Sequence, residues 1–285
     1  MSNALACHPA MGQAATPAKE EAPSALFSAT PRSWAVDVAA NELIALHHPN
    51  SYLRYRMHVV DEKGNQTRDI IESKDGSVAR LILRDGRPLT EDEDKAERQR
   101  LNDMLASPSD FAKHIKEDAS GRKIADQMIR LMPDAMLYTY TPGQPQTGSN
   151  SGALQVVLDY KPNPAFKPPS LTAEALTGLQ GRLWIDAKTR HLVRMEGSIF
   201  RGVNFGWGML AHIYPGGRLV LEQTDAGAGR WIFTHFTEEV RVRALMVKTV
   251  TVHADISASA FQTLPGPISY QDAIQMLLNT PLPGR

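Results

Sequence analysis

From Leu179 to Ile256 the chain is almost unbroken β-pattern. Strand-like segments GRLWID, HLVRMEGSI, VNFGWGMLAHI, RLVLEQT, RWIFTHF and VRALMVKTVTVHADI are separated by turns such as Asp186-Ala187-Lys188-Thr189, Pro215-Gly216-Gly217 and Gly227-Ala228-Gly229. Connections this short join antiparallel neighbours, because a parallel pair needs a crossover of a dozen or more residues. A sheet of that extent twists and curls, and it tends towards a barrel.

One stretch sharpens the constraint. In VNFGWGML, residues 203–210, Val203, Phe205, Trp207 and Met209 fall on one side of a strand, with Asn204, Gly206 and Gly208 on the other. Glycine on a strand permits sharp bending or close approach of another element. The expected result is a curved strand with its bulk turned inward. Neighbouring segments supply matching apolar positions, so Phe205, Trp207, Met209, Leu219, Leu221, Trp231, Phe233 and Met246 are the candidate lining of a concave apolar surface. For each one taken singly, plain core packing beneath a helix is the competing reading.

Helices stand before, inside and after this β material. SWAVDVAANELIALHH repeats apolar residues at three- and four-residue spacing (Val36, Ala39, Ala40, Leu43, Leu46), with Ser33 as cap and Pro49-Asn50 as stop. Strands follow at YLRYRMHVVD, TRDIIES and SVARLILR, closed by the Asp85-Gly86 turn. Thr90-Glu91-Asp92-Glu93 is a capping box opening a charged helix to about Ala106. Ser107-Pro108 opens another, with Gly121 as an interruption and Pro133 as its end. After strands at LYTYTPG and ALQVVLDYKPNP, the segment KPNPAFKPPS is too proline-rich for regular structure. Ser269 caps a last short helix carrying Ile274, Leu277 and Leu278. The fold class is therefore α+β: a large curved antiparallel sheet, an incomplete barrel, with helices covering its open side. Residues 1–32 read as a flexible tether rich in Ala, Pro and Ser. Residues 33–285 read as one domain with a helical insertion at about 90–135.

Composition removes several functions. Formal net charge is zero and charged residues make up 22%, so no basic surplus points to nucleic acid. No window reaches the ~18 consecutive apolar residues of a membrane-spanning helix. The nine histidines are scattered, and neither H-E-x-x-H nor a cysteine–histidine zinc spacing occurs; His58, His212, His235 and His253 fall in strands, where ordinary hydrogen bonding is the plainer reading. There is no G-x-S-x-G elbow or Walker loop, and Gly206-Trp207-Gly208 lacks the third glycine and helix of a dinucleotide site. The expectation is a non-enzyme without cofactor or metal. The single cysteine, Cys7, excludes an internal disulfide. Ala4-Leu5-Ala6-Cys7 loosely resembles a lipobox, although leucine is absent three positions before the cysteine and no basic or apolar leader region precedes it. A trimmed lipoprotein and a cytoplasmic protein with an incidental cysteine both fit.

The run GLQGRLWIDAKTRHLVRMEGSIFRGVNFGWGMLAHIYPGGRLVLEQTDAGAGRW resembles the strand repeat of the periplasmic lipoprotein-carrier superfamily, which includes LolA-type carriers and the LolB-type receptor. "G-x-LWID" before a hairpin and "VNFGWG" after it carry the resemblance, over roughly the C-terminal 110 residues. It implies an incomplete barrel plugged by helices around an apolar cavity for acyl chains. The implied function is non-catalytic periplasmic binding of an acylated lipoprotein or lipid by a monomer, with Cys7 as a lipid attachment point to the outer membrane. The alternative is an envelope sensor that meets a protein partner through the 90–135 block. That block has no counterpart in the carriers. The arginine with which carriers hold the lid shut has no clear match among Arg54, Arg56 and Arg80.

Overall fold

The computed structural model describes residues 28–47, 51–143, 146–147, 153–205, 210–244 and 248–284. In chain order the elements are α1 (Pro31–His47), β1 (Leu53–Asp61), β2 (Gly64–Ser73), β3 (Gly76–Arg84), β4 (Arg87–Pro88), α2 (Glu91–Ala106) and α3 (Pro108–Ala135). There follow β5 (Met136–Tyr140), β6 (Gln146–Thr147), β7 (Leu154–Pro162), a 3-10 turn (Thr172–Gly178), β8 (Leu179–Asp186), β9 (Leu192–Ile199), β10 (Val203–Phe205) and β11 (Ala211–Ile213). The chain ends with β12 (Arg218–Asp225), β13 (Trp231–Ala244), β14 (Lys248–Thr263) and α4 (Tyr270–Asn279). No described helix is long and apolar enough to cross a membrane.

The strands form one antiparallel sheet in the order β4-β3-β2-β1-β14-β13-β12-β9-β8-β7-β5, which does not close on itself. The α+β class and the open curved sheet are as the sequence implies. Two long strands read from the sequence are instead hairpins. Phe205 pairs with Ala211 and Val203 with Ile213, so VNFGWGMLAHI reverses direction between them. Likewise Ala244 pairs with Lys248, dividing VRALMVKTVTVHADI between β13 and β14. The glycines Gly206 and Gly208 lie outside the described residues.

The helices differ from expectation in detail. α1 begins at Pro31, two residues before the expected cap Ser33, and Ser33 N–H donates to Thr30 Oγ1 at 3.2 Å. Its buried residues are Trp34, Ala35, Val38 and Ala39, while Val36 and Ala40 are exposed; the stripe is rotated one residue from the predicted one. α3 runs unbroken through Gly121 and two residues past Pro133. Proline removes one hydrogen bond, and so near the helix end that loss leaves the preceding turns intact.

Helices cover both faces of the sheet. α1 and the C-terminal part of α3 (Met128, Leu131, Met132) pack on the face carrying Leu158, Leu183 and Ile185. α2, the start of α3 and α4 pack on Ile71 and Val78, on the face of β2 and β3 opposite Ile70 and Ala79. Arg80 pins this second layer: its guanidinium donates to Asp94 Oδ1 at 2.8 Å and to the Leu277 and Thr280 carbonyls at 2.6 and 2.7 Å. At the start of α2, Thr90 Oγ1 accepts from Glu93 N–H while the Glu93 carboxylate accepts from Thr90 N–H at 2.8 Å. Arg87 and the Thr90 amide hold that carboxyl low, at about 2. Thr90→Ala removes half of this box and is expected to cost about 1 kcal/mol, read as a lower urea midpoint with unchanged slope.

Candidate functional site

The strand register settles which residues share a face of the sheet. Leu158, Leu183, Met195, Leu221, Phe236, Ile256 and Val59 are directly opposite one another across β7, β8, β9, β12, β13, β14 and β1. One apolar row therefore crosses seven strands. At one end Leu158 and Leu183 are buried with Trp34 and Val38 in the core beneath α1, where Met195 and Leu221 also pack. At the other end Met57, two residues along β1 from Val59, joins a smaller core with Leu53, Tyr55 and Ile70. Between them Phe236, Ile256 and Val59 are half-buried and lie outside both cores.

The residues singled out from sequence are not brought together as one lining. Leu219 and Leu221 face the core beneath α1. Phe233 packs with Leu53 and Tyr55 instead. Trp231 stacks on His191, their centroids 4.8 Å apart and their planes 4° from parallel. Phe205 sits half-buried in the β10–β11 hairpin. Trp207, Met209, Met246 and Cys7 lie outside the described residues. Phe236, Ile256, Val59 and Met195 were missed because their common face depends on register, which one sequence does not supply.

A line of polar ties fastens α1 to the sheet. Trp34 Nε1 donates to Tyr140 Oη at 3.1 Å, and the Arg190 guanidinium lies 4.2 Å from the Trp34 ring centroid while pairing with Asp37. Asn41 Nδ2 donates to the Thr189 and Arg190 carbonyls at 3.2 and 2.9 Å. Gln223 Nε2 donates to Glu42 Oε2 at 2.7 Å. At the helix end Arg230 donates to the Ala45 carbonyl at 3.0 Å and to Glu72 Oε1 at 3.0 Å, and Glu72 Oε2 in turn accepts from Leu53 N–H at 2.9 Å. Arg54 and Arg56 pair with Asp69 and Arg80 with Asp94, on the face opposite Tyr55 and Ile70. The arginines that meet α1 from the sheet side are Arg190 and Arg230.

Glu42 is the odd member. Moving the predicted stripe by one residue puts it in line with Ala35, Val38 and Ala39, a carboxyl at the apolar position of its helix. Burial pushes it up to about 7, with Gln223 and the Leu192 amide offsetting part of the rise. Its Oε1, the Oε1 of Gln223 and Nδ1 of His191 are each buried without a hydrogen-bond partner. Burial also pulls His191 down.

The other face of the sheet has a different character. A cleft of about 760 Å³ crosses β5, β7, β8, β9 and β12, lined by polar residues such as Lys161, Gln180, Ser198 and Arg218; of the sequence-predicted residues it includes Leu219 alone. Arg182 pairs there with Asp159 at 2.7 Å, and Glu196 accepts from Arg194 at 2.7 Å. The strand histidines have separate partners: His58 with Thr67, His212 with Asn204 and His235 with Asp255. Among the described residues no group of three or more His, Cys, Asp or Glu converges on a metal-sized site.

Compared with protein-family models, curated proteins and solved structures, the chain shows no significant match.

Proposed function

We propose that this chain is a non-catalytic acyl-chain binder of the bacterial envelope, comparable to the lipoprotein carriers its strand repeat resembles. In this reading Cys7 is a point of lipid attachment and a lipid or acylated lipoprotein is the cargo. The observation that supports it is the half-buried stretch Phe236–Ile256–Val59 in the middle of an apolar row that crosses the sheet, flanked by finished cores. A methylene leaving water gains about 0.8 kcal/mol, so a sixteen-carbon tail brings roughly 12 kcal/mol gross. Immobilising the tail offsets several kcal/mol of that. No reacting group is required, only apolar area and a cover that can shift. α1 is the candidate for the second need, since discrete polar contacts tie it to the sheet around the buried residues Trp34, Ala35, Val38 and Ala39.

The test is uptake of a fluorescent fatty acid by purified protein, displaced by palmitate. Binding is expected, and Phe236→Glu is expected to weaken it at least tenfold, since a carboxylate on that floor must be desolvated by the bound chain. Far-UV circular dichroism and the urea midpoint serve as folding controls. Absence of uptake by the unsubstituted protein, or equal binding by a folded F236E, overturns the reading.

A further inference from the structure

We propose that Glu42 is held as a neutral carboxylic acid in a reciprocal pair with Gln223, and that loss of its proton to solvent releases α1 from the sheet. One hydrogen bond and two buried, unpaired oxygens lead to this. Gln223 Nε2 already donates to Glu42 Oε2 at 2.7 Å. The remaining oxygens of the two side chains, Glu42 Oε1 and Gln223 Oε1, are buried and unpaired. Two acceptors cannot satisfy each other, and buried polar groups are seldom left without partners. One proton on Glu42 resolves both, because a protonated carboxyl is a donor as well as an acceptor. The acid O–H then donates to the amide oxygen while the amide N–H donates to the acid carbonyl, a closed two-bond ring. Ionised, the same site holds a desolvated negative charge against an amide oxygen, offset only in part by the Leu192 N–H and Gln223 Nε2.

Among the described residues the surroundings offer no cation to compensate. Arg190, from the β8–β9 turn, pairs with Asp37 and lies over Trp34. Arg230 is committed to Glu72 and the Ala45 carbonyl. His47 on α1 pairs with Asp126 of α3, which Arg130 also holds, and Arg32 pairs with Asp134 of the same helix. His191 is depressed by burial, so it favours its neutral form. Asp186 and Asp225, in the turns at this end, add only negative charge. Burial accordingly raises Glu42 from 4.5 to about 7. The sign follows from linkage: the docked state holds the proton more tightly than the released state. Docking is thus strongest below about pH 4.5, weakens as pH rises through 7, and levels off above it. The inference concerns α1 itself and does not depend on what the sheet binds.

Hydrogen exchange of α1 backbone amides in the full chain, corrected for intrinsic rates, tests it. Protection is expected to fall about a hundredfold between pH 5 and pH 8. In Glu42→Gln an amide–amide pair reproduces the ring with no titrating proton, so protection should stay high and flat across that range. His47→Gln should retain the fall. Protection in the unsubstituted protein that does not change with pH, or an undiminished fall in E42Q, overturns the proposal. If E42Q does not fold, the carbon-13 shift of the Glu42 carboxyl in the unsubstituted protein decides. A midpoint near neutrality supports the latch, and a midpoint in the ordinary carboxylate range overturns it.

Discussion

Arg230→Met lowers stability by about 3–5 kcal/mol, the range for removing one partner of a buried ion pair. The two side chains are only 7% and 5% exposed, so solvent cannot take over the solvation of a stranded Glu72. The loss spreads through neighbours. Glu72 is the acceptor for Leu53 N–H at the start of β1, and Arg230 is the donor for the Ala45 carbonyl near the end of α1. A helix C-terminus has unsatisfied carbonyls, and this one meets a cation from the β12–β13 connection. The decisive comparison is the double variant R230M/E72Q. Glutamine keeps an acceptor for the Leu53 amide but carries no charge, so about half the loss should return. Urea midpoints of the four proteins close the cycle. If the double variant is as unstable as the sum of the singles, charge burial is not the cause and lost packing is.

That ion pair also marks the limit of what the sequence discloses. Features written in adjacent residues were legible. The Thr90–Glu93 box, proline at the first position of α3, the Asp85-Gly86 turn with both φ angles positive and the Ser269 cap all stand in the structure. Each depends on groups no more than about four residues apart, where backbone geometry leaves little choice. Arg230 with Glu72 and Gln223 with Glu42 are separated by 158 and 181 residues, and no local pattern connects them. Strand ends were the other blind spot. Apolar alternation in the sequence runs on past Phe205 and Ala244, so VNFGWGML reads as one strand although Phe205 pairs back on Ala211. For Glu42 a signal was present: an acid at a core-facing position of a helix otherwise lined by Ala and Val. Taking Val36 as part of the core hid it.

Within the described residues, glycine permits close approach of the chain at the centre of β8 and β9. Gly181 and Gly197 are paired directly across these strands, with Tyr160 opposite Gly181 on β7 and its hydroxyl donating to the Glu196 carbonyl at 2.9 Å. The two glycines look alike in sequence and should behave differently. A Cβ at Gly181 would stand 1.9 Å from the Glu196 carbonyl oxygen and 2.8 Å from Tyr160 Oη. Backbone must move to admit it. A Cβ at Gly197 would meet Leu219 Cγ at 2.9 Å and Leu179 Cδ1 at 3.0 Å, both atoms of side chains able to change rotamer. Gly181→Ala is therefore expected to cost about 3 kcal/mol or more and Gly197→Ala about 1 kcal/mol. Tyr160→Phe, which removes only the hydrogen bond, should cost about 1 kcal/mol. Because Tyr160 is buried in the core beneath α1, strain at Gly181 should also loosen that helix, seen as faster exchange of its amides. Equal midpoints for G181A and G197A would mean that the strands absorb the methyl group by sliding, and that the close approach at Gly181 is not what sets the curvature.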